Sequence, residues 1–201
     1  MTEEKYFFEK EVFSKPNYKF SFELEEELLD DILKLKKSGK VLELGCGEAG
    51  TSLALAEKGF DVTCIDISET AIKNIKKEAK KKGIKINAFV EDLETFEIKE
   101  KYDIIIGTGI FHFLPKELTF RLLEDVKEHT VKKGLNIFEV FLEGDPSQEE
   151  DSEGYYFKKT ELKNLYSKWN ILDYEEHDDY DEEEEQTNKL AFLMAENNKK
   201  R

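Results

Sequence analysis

Cysteine is nearly missing from this chain of 201 residues: only Cys46 and Cys64 occur, and neither belongs to a C-x-x-C pair. A disulfide framework and a cysteine-based zinc site are therefore excluded, and no metal is expected. Arginine is equally scarce, with Arg121 and Arg201 standing against many lysines. Its planar fork is the usual bidentate clamp for phosphate or carboxylate, so the shortage argues against a site built for a dianion. A basic surplus is also lacking. The net charge of −15 leaves nothing to replace phosphate counterions, which excludes non-specific nucleic-acid binding. No apolar run approaches the ~18 residues of a membrane span. The opening MTEEKYFFEKEVF interleaves acids and lacks the basic start and cleavage site of a signal peptide. These absences predict a soluble, cytoplasmic protein with no membrane or nucleic-acid partner, monomeric or homodimeric.

What is present suits one α/β domain over 1–201, since 39% hydrophobic residues in a chain of this length can fill a core. An aromatic arm and a helix, FELEEELLDDILKL, lead to Gly39. Strand and helix patterns then alternate: KVLEL, TSLALAEKG, DVTCIDI, SETAIKNIKKEAKKKG with Ser68 as N-cap and Gly83 past its end, INAFVEDL and YDIIIGTG. PKELTFRLLEDVKEHTVKKG reads as a helix opened by Pro115 and stopped by Gly134, and LNIFEVFL as a fifth strand. This alternation predicts a mostly parallel, Rossmann-like sheet with helices on both faces. EGDPSQEEDSEG then reads as a polar loop and YYFKKTELKNLYSKW as an amphipathic helix. NILDYEEH and NKLAFLMAEN form a C-terminal antiparallel hairpin, which brings the sheet to seven strands. The acidic run DDYDEEEEQT between them reads as a solvated loop. Residues 1–39 form the arm and first helix, 40–142 the alternating strand–helix half, and 143–201 the loop, helix and hairpin that follow it.

The stretch VLELGCGEAG carries the chemistry. Gly45, Gly47 and Gly50 satisfy G-x-G-x-x-G, a glycine turn between a strand and a helix N-terminus that lets a ligand approach the backbone. Asp66 ends the second strand at about the ~20-residue distance expected of a ribose-hydroxyl acceptor. NAD and S-adenosylmethionine both contain that ribose. Glu43 discriminates: a carboxylate beside the turn repels a diphosphate but suits a ligand bearing an ammonium and a sulfonium. An NAD-dependent oxidoreductase on the same turn and a catalytically silent cofactor-binding module are the alternatives.

ELGCGEAG, with the acid of CIDIS at the next strand end and Glu91–Asp92–Leu93 after the third, resembles the class I S-adenosylmethionine-dependent methyltransferases. The narrower resemblance is to the tellurite-resistance, TehB-like branch. It is carried by SLALAEKGFDVTCIDIS, KYDIIIGTGIFHFL, GYYFKKTELKNLYSKWNILDYEEH and the YFFEK of the arm. It implies methyl transfer from S-adenosyl-L-methionine to a small-molecule acceptor, such as a chalcogen oxyanion or thiol. The implied cofactor contacts are Glu43, Gly45, Cys46, Gly47, Asp66, Ile67, Asp92, Leu93 and Gly107. In that family the Asp66 position holds the ribose hydroxyls and the Asp92 position meets the adenine amino group. An arginine commonly follows the branch's motif I glycines; here Gly50 and Thr51 stand there.

Methyl transfer from a sulfonium needs neither metal nor covalent intermediate, so positioning in a water-poor site carries much of the catalysis. A base is needed only for a hydroxyl or protonated-amine acceptor. His112, in TGIFHFLP after the fourth strand, is the candidate base or acceptor-orienting group; it also reads as a histidine packed between Phe111 and Phe113. Tyr155, Tyr156 and Phe157 are candidate acceptor-pocket residues. Tyr6, Phe7, Phe8, Tyr18 and Phe20 read either as a lid or as cover for an apolar face. Cys46 is expected to be a turn residue with nothing beside it to lower its pKa, and His177 a surface residue.

Overall fold

The computed structural model describes residues 7–13, 26–149, 154–181 and 185–198. Seven strands form one sheet in the order β3-β2-β1-β4-β5-β7-β6. The chain divides into two compact units, Met1–Phe96 and Glu97–Arg201. That division falls in the β3–β4 connection, where the sequence offers no boundary signal.

In the first unit a short π-helical turn, Phe7–Val12, precedes helix α1 (Glu26–Leu35). Then follow β1 (Lys40–Leu44), α2 (Gly50–Glu57), β2 (Asp61–Asp66), α3 (Glu69–Lys82) and β3 (Asn87–Val90). The pairs β1–β2 and β2–β3 are parallel. Helix α3 begins and ends where its caps require: the Ser68 hydroxyl accepts from the Ala71 N–H, and Gly83 turns left-handed at φ 70°. Its apolar face, Ile72, Ile75 and Ala79, packs in one cluster with Leu53 of α2, Cys46, Cys64 and Ala88. That packing holds the helix that follows Asp66 firmly on the sheet.

The second unit contains β4 (Tyr102–Thr108), a one-turn 3-10 helix (Phe111–Phe113), α4 (Lys116–His129) and β5 (Thr130–Phe141). A 3-10 turn (Pro146–Glu149), α5 (Glu161–Leu165), β6 (Asn170–Asp181) and β7 (Gln186–Glu196) complete it. β4 and β5 are parallel, while β7 runs antiparallel to both β5 and β6. The predicted seven-stranded, mostly parallel sheet with its C-terminal hairpin is therefore present.

Three local expectations are corrected. Gly134 does not stop a helix. α4 ends at His129, where Thr130 turns extended and its hydroxyl donates to the Val126 carbonyl at 2.7 Å. TVKK then opens β5 through an irregularity: Tyr102 pairs with Thr130, but Ile104 pairs with Leu135. Lys133 takes φ 67° there. At Gly134 a Cβ would lie 2.7 Å from the Thr130 methyl and 2.8 Å from the Val131 carbonyl oxygen, so close approach requires the glycine. The stretch from Tyr155 to Trp169 is not one helix. Phe157 bridges Leu142 in parallel, its N–H donating to the Phe141 carbonyl at 2.9 Å, and only Glu161–Leu165 is helical. Of the described residues of the acidic run, Asp178–Asp181, Gln186 and Thr187 are strand and Glu185 is a turn. Asp178, Asp179, Tyr180 and Asp181 continue β6 opposite Lys189, Asn188, Thr187 and Gln186, none of them acidic, so the ladder tolerates the charge.

Candidate cofactor and acceptor sites

In the first unit, parallel pairing sets Leu44 beside Ile65, so the chain leaving β1 turns directly next to Asp66. Gly45 and Gly47 take φ 59° and 47°, a conformation that costs little only without a Cβ. Ala49 sits in the same left-handed region at φ 55° and opens α2 without a side-chain cap. The turn is closed by Cys46 N–H donating to the Ile65 carbonyl (2.9 Å) and Ala49 N–H to the Cys46 carbonyl (2.6 Å). A Cβ on Gly47 would meet no atom within 4 Å, so the backbone faces open space there.

Asp66 organises this turn. It is 8% exposed, and its two oxygens accept from the Gly47 N–H (2.8 Å) and the Ser68 N–H (2.9 Å). Burial raises its pKa, the two backbone donors oppose that rise, and the nearby Glu9 charge adds to it. The folded state thus keeps the Asp66 proton to higher pH than the unfolded chain. Ionisation of this group opposes folding as pH rises from its unfolded pKa to its raised one. Glu43, also buried, lies on β1 opposite Cys64. The Cys46 thiol is pushed well up by burial, by its hydrogen bond with Cys64, and by the Asp66 and Glu43 charges, which disfavours the thiolate.

Beyond β3, Val90 is the register partner of Asp66, and the Glu91 N–H donates to the Asp66 carbonyl at 3.0 Å. Asp92 and Leu93 follow, half-buried. The Asp92 side chain accepts from the Glu94 N–H (2.9 Å) and its carbonyl from Phe96 N–H (2.8 Å), which fixes a tight turn. Ile67 is half-buried between Asp66 and Ser68. The first unit therefore brings Glu43, the glycine turn, Asp66, Ile67, Asp92 and Leu93 to the carboxyl ends of neighbouring strands. That is where ligands bind in such sheets.

One contributor has no signature in the sequence. Glu9, in the arm, accepts from the Ser68 hydroxyl (3.0 Å), the Thr70 N–H (2.9 Å) and the Thr70 hydroxyl (2.6 Å). Partners 59 to 61 residues away leave no local trace. Of the arm aromatics, Phe8 stacks on Phe13 at 6.0 Å. Tyr6, Tyr18 and Phe20 lie outside the described residues, as does the side chain of Phe7.

The second unit carries Gly107 and His112. Gly107 lies in β4, where a Cβ would come 2.9 Å from Ile110 Cδ1 and 3.4 Å from the Phe138 ring. His112 is half-buried, with ring centroids 3.9 Å from Phe113, 4.3 Å from Phe141 and 6.1 Å from Tyr156. Phe111 instead points into the core against Phe138 and Phe157. Tyr156 and Phe157 are buried, and Tyr155 donates to both Glu161 oxygens at 2.9 Å. His177 is half-buried on β6 opposite Leu190. Arg121 is exposed on α4.

The fold and the acids at its strand ends define a Rossmann-like domain of the methyltransferase type. More narrowly, the chain belongs to the TehB family: the model described as "Tellurite resistance protein TehB" matches residues 6–196. It is 33% identical over 147 residues to the "Probable S-adenosyl-L-methionine-dependent methyltransferase TehB" of Haemophilus influenzae. That match covers 73% of this chain and 51% of the relative, so the chain spans about half that relative's length. The crystal structure of TehB from Haemophilus influenzae superposes with a TM-score of 0.78 at 28% identity, over 96% of this chain and 66% of that one. The N-methyltransferase NodS of Bradyrhizobium japonicum WM9, in complex with S-adenosyl-L-homocysteine, shares the fold with a TM-score of 0.68 at 17% identity. That match covers 94% of this chain and 96% of NodS. Among the described residues, no helix is long and apolar enough to cross a membrane.

Proposed function

We propose that this chain is a cytoplasmic methyltransferase that uses S-adenosyl-L-methionine to methylate a small, soft acceptor such as a thiol or reduced chalcogen. The observation that carries the reading is Asp66: a buried carboxylate, clasped by the Gly47 and Ser68 N–H groups, ends β2 beside a glycine turn. Its hydrogen-bonding capacity exceeds those two bonds, which leaves lone pairs for ribose hydroxyls. Glu43 and Asp66 make the surroundings of the turn acidic, which fits a cationic cofactor better than a diphosphate. The open space at Gly47 fits close approach of the methionine portion. When bound, the cofactor supplies a methyl group made electrophilic by its sulfonium.

His112, held against Phe113 and Phe141, is the residue we assign to orienting the acceptor. Aromatic walls exclude water, which favours a polarisable acceptor over a hydrated dianion. The exposed position of Arg121 supports the same choice.

Calorimetry with S-adenosylhomocysteine and with NADH tests the cofactor, and transfer of a labelled methyl to a thiol, amine and oxyanion panel tests the acceptor. The expected outcome is binding of S-adenosylhomocysteine alone, with label on thiols. His112→Ala should lower turnover by ~10²-fold while cofactor affinity holds. Tight NADH binding without S-adenosylhomocysteine binding would overturn the assignment.

A further inference from the structure

The arm residue Glu9 reaches the cofactor site through an unbroken series of hydrogen bonds. Its carboxylate holds Ser68 and Thr70 at the start of α3; the Ser68 N–H holds one oxygen of Asp66; the other Asp66 oxygen holds Gly47. Ser68 works in both directions, its hydroxyl donating to Glu9 while accepting from the Ala71 N–H at 3.0 Å. The turn carrying Glu9 is itself closed, with Phe13 N–H donating to the Phe8 carbonyl at 2.8 Å and Phe13 buried. Glu9 is thus the polar anchor of a folded arm segment, one residue removed from the carboxylate that the cofactor needs.

We infer that Glu9 is a positioning residue for cofactor binding, holding Ser68 and Asp66 in place and making the docking of the 7–13 arm and the binding of cofactor favour each other. This rests on the reading of Asp66 as the ribose acceptor. Coupling of this kind is reciprocal: whatever orders the arm tightens the cofactor, and the cofactor orders the arm to the same degree. Three donors converge on Glu9, and together they outweigh its burial, so its pKa is lowered and it stays charged. Its stabilising contribution is present above its unfolded pKa and is lost as pH falls through the lowered one. The charge also carries a signature, because it raises the pKa of Asp66. The ionisable groups around Asp66 are Glu9 from the arm, Cys46 from the turn, Glu43 on β1, Glu69 opening α3 and Glu91 after β3. Glu9 is the one whose charge acts most directly on it.

The test compares the full chain with its Glu9→Gln and Glu9→Ala variants. S-adenosylhomocysteine affinity is measured by calorimetry from mildly acidic to neutral pH, and amide exchange of residues 7–13 with and without that ligand. Ser68 still caps α3 in both variants, and far-UV circular dichroism with a thermal melt reports their folding. The ligand is expected to slow exchange of the arm in the unaltered chain. Glu9→Ala should weaken binding roughly tenfold and abolish that protection. Glu9→Gln should fall between the two and move the acidic limb of the affinity profile to lower pH, because Asp66 loses a repelling neighbour. Equal affinity in all three chains overturns the inference. So does an equal loss in both variants with an unmoved pH limb, the mark of a purely structural role. An unaltered chain that does not bind S-adenosylhomocysteine overturns the proposed function and the coupling together. An unaltered chain that binds it while the variants match overturns the coupling alone.

Discussion

Asp66→Ala is expected to lower S-adenosylhomocysteine affinity by about 100-fold, the largest cofactor effect of any single side chain considered. The substitution removes the acceptor proposed for the ribose hydroxyls, at about 1–3 kcal/mol of binding, and it also loosens the site by leaving the Gly47 and Ser68 N–H groups without their acceptor. Those donors belong to the glycine turn and to the start of α3, so both walls of the proposed ribose site relax at once. Asp66→Asn should be almost as damaging. An amide brings one acceptor oxygen and an NH₂, and the NH₂ would face a donor on one side or the other. Calorimetry at neutral pH reads the loss directly. An affinity within twofold of the unaltered chain would show that Asp66 does not hold the ribose. With Asp66 in place, affinity should decline as pH falls through its raised pKa, because the protonated form is a poorer acceptor.

Asp145→Ala is expected to cost about 2–6 kcal/mol of stability in a urea titration, from two unmatched N–H groups at about 1–3 kcal/mol each. Asp145 is only 2% exposed although it lies in the polar loop after β5. Its carboxylate accepts from the Ser147 N–H (2.9 Å), the Ser147 hydroxyl (2.5 Å) and the Lys189 N–H (2.6 Å). It thereby pins the loop to β7. The Ser147 hydroxyl lies 3.1 Å from the Tyr156 hydroxyl, and Tyr156 is part of the aromatic surround of His112. Methyl transfer should therefore fall along with stability, while S-adenosylhomocysteine affinity, set in the first unit, holds. Asp145→Asn should be almost as destabilising, because its NH₂ would face the Lys189 N–H or the two Ser147 donors. An unchanged urea midpoint for Asp145→Ala would count against the buried network.

The two cases differ in how much of each could be read before the fold was known. The position of Asp66 is predictable because it depends on local order: strand, acid, helix, in a fixed spacing from a glycine turn. Ser68 and Gly83 are predictable for the same reason, since caps act within a few residues of themselves. Asp145 has no such mark. Its sequence neighbourhood, EGDPSQEED, is that of a solvated loop, and only the Lys189 N–H, 44 residues later, makes it a buried acceptor.

Local pattern was misleading wherever a long-range pairing competed with it. KKTELKNLYSKW has a helical period, yet Phe157 prefers a bridge to Leu142, and the helix shrinks to Glu161–Leu165. The acids from Asp178 to Asp181 suggest a loop, yet β7 supplies a ladder with polar or basic partners. Gly134 looks like a helix terminator, but it is the one residue small enough to pass Thr130 and Val131.

The sequence by itself determined the order of strands and helices, the glycine turn, and the acids Glu43, Asp66 and Asp92 at the strand ends. Each of these depends on residues close together along the chain. The tertiary structure alone decided that Asp66 closes the turn through Gly47, that Glu9 docks on α3, and that His112 lies between Phe113 and Phe141. Most of those contacts join segments far apart in the chain. They exist only after folding has met the entropy of bringing such segments together, and no local pattern encodes them.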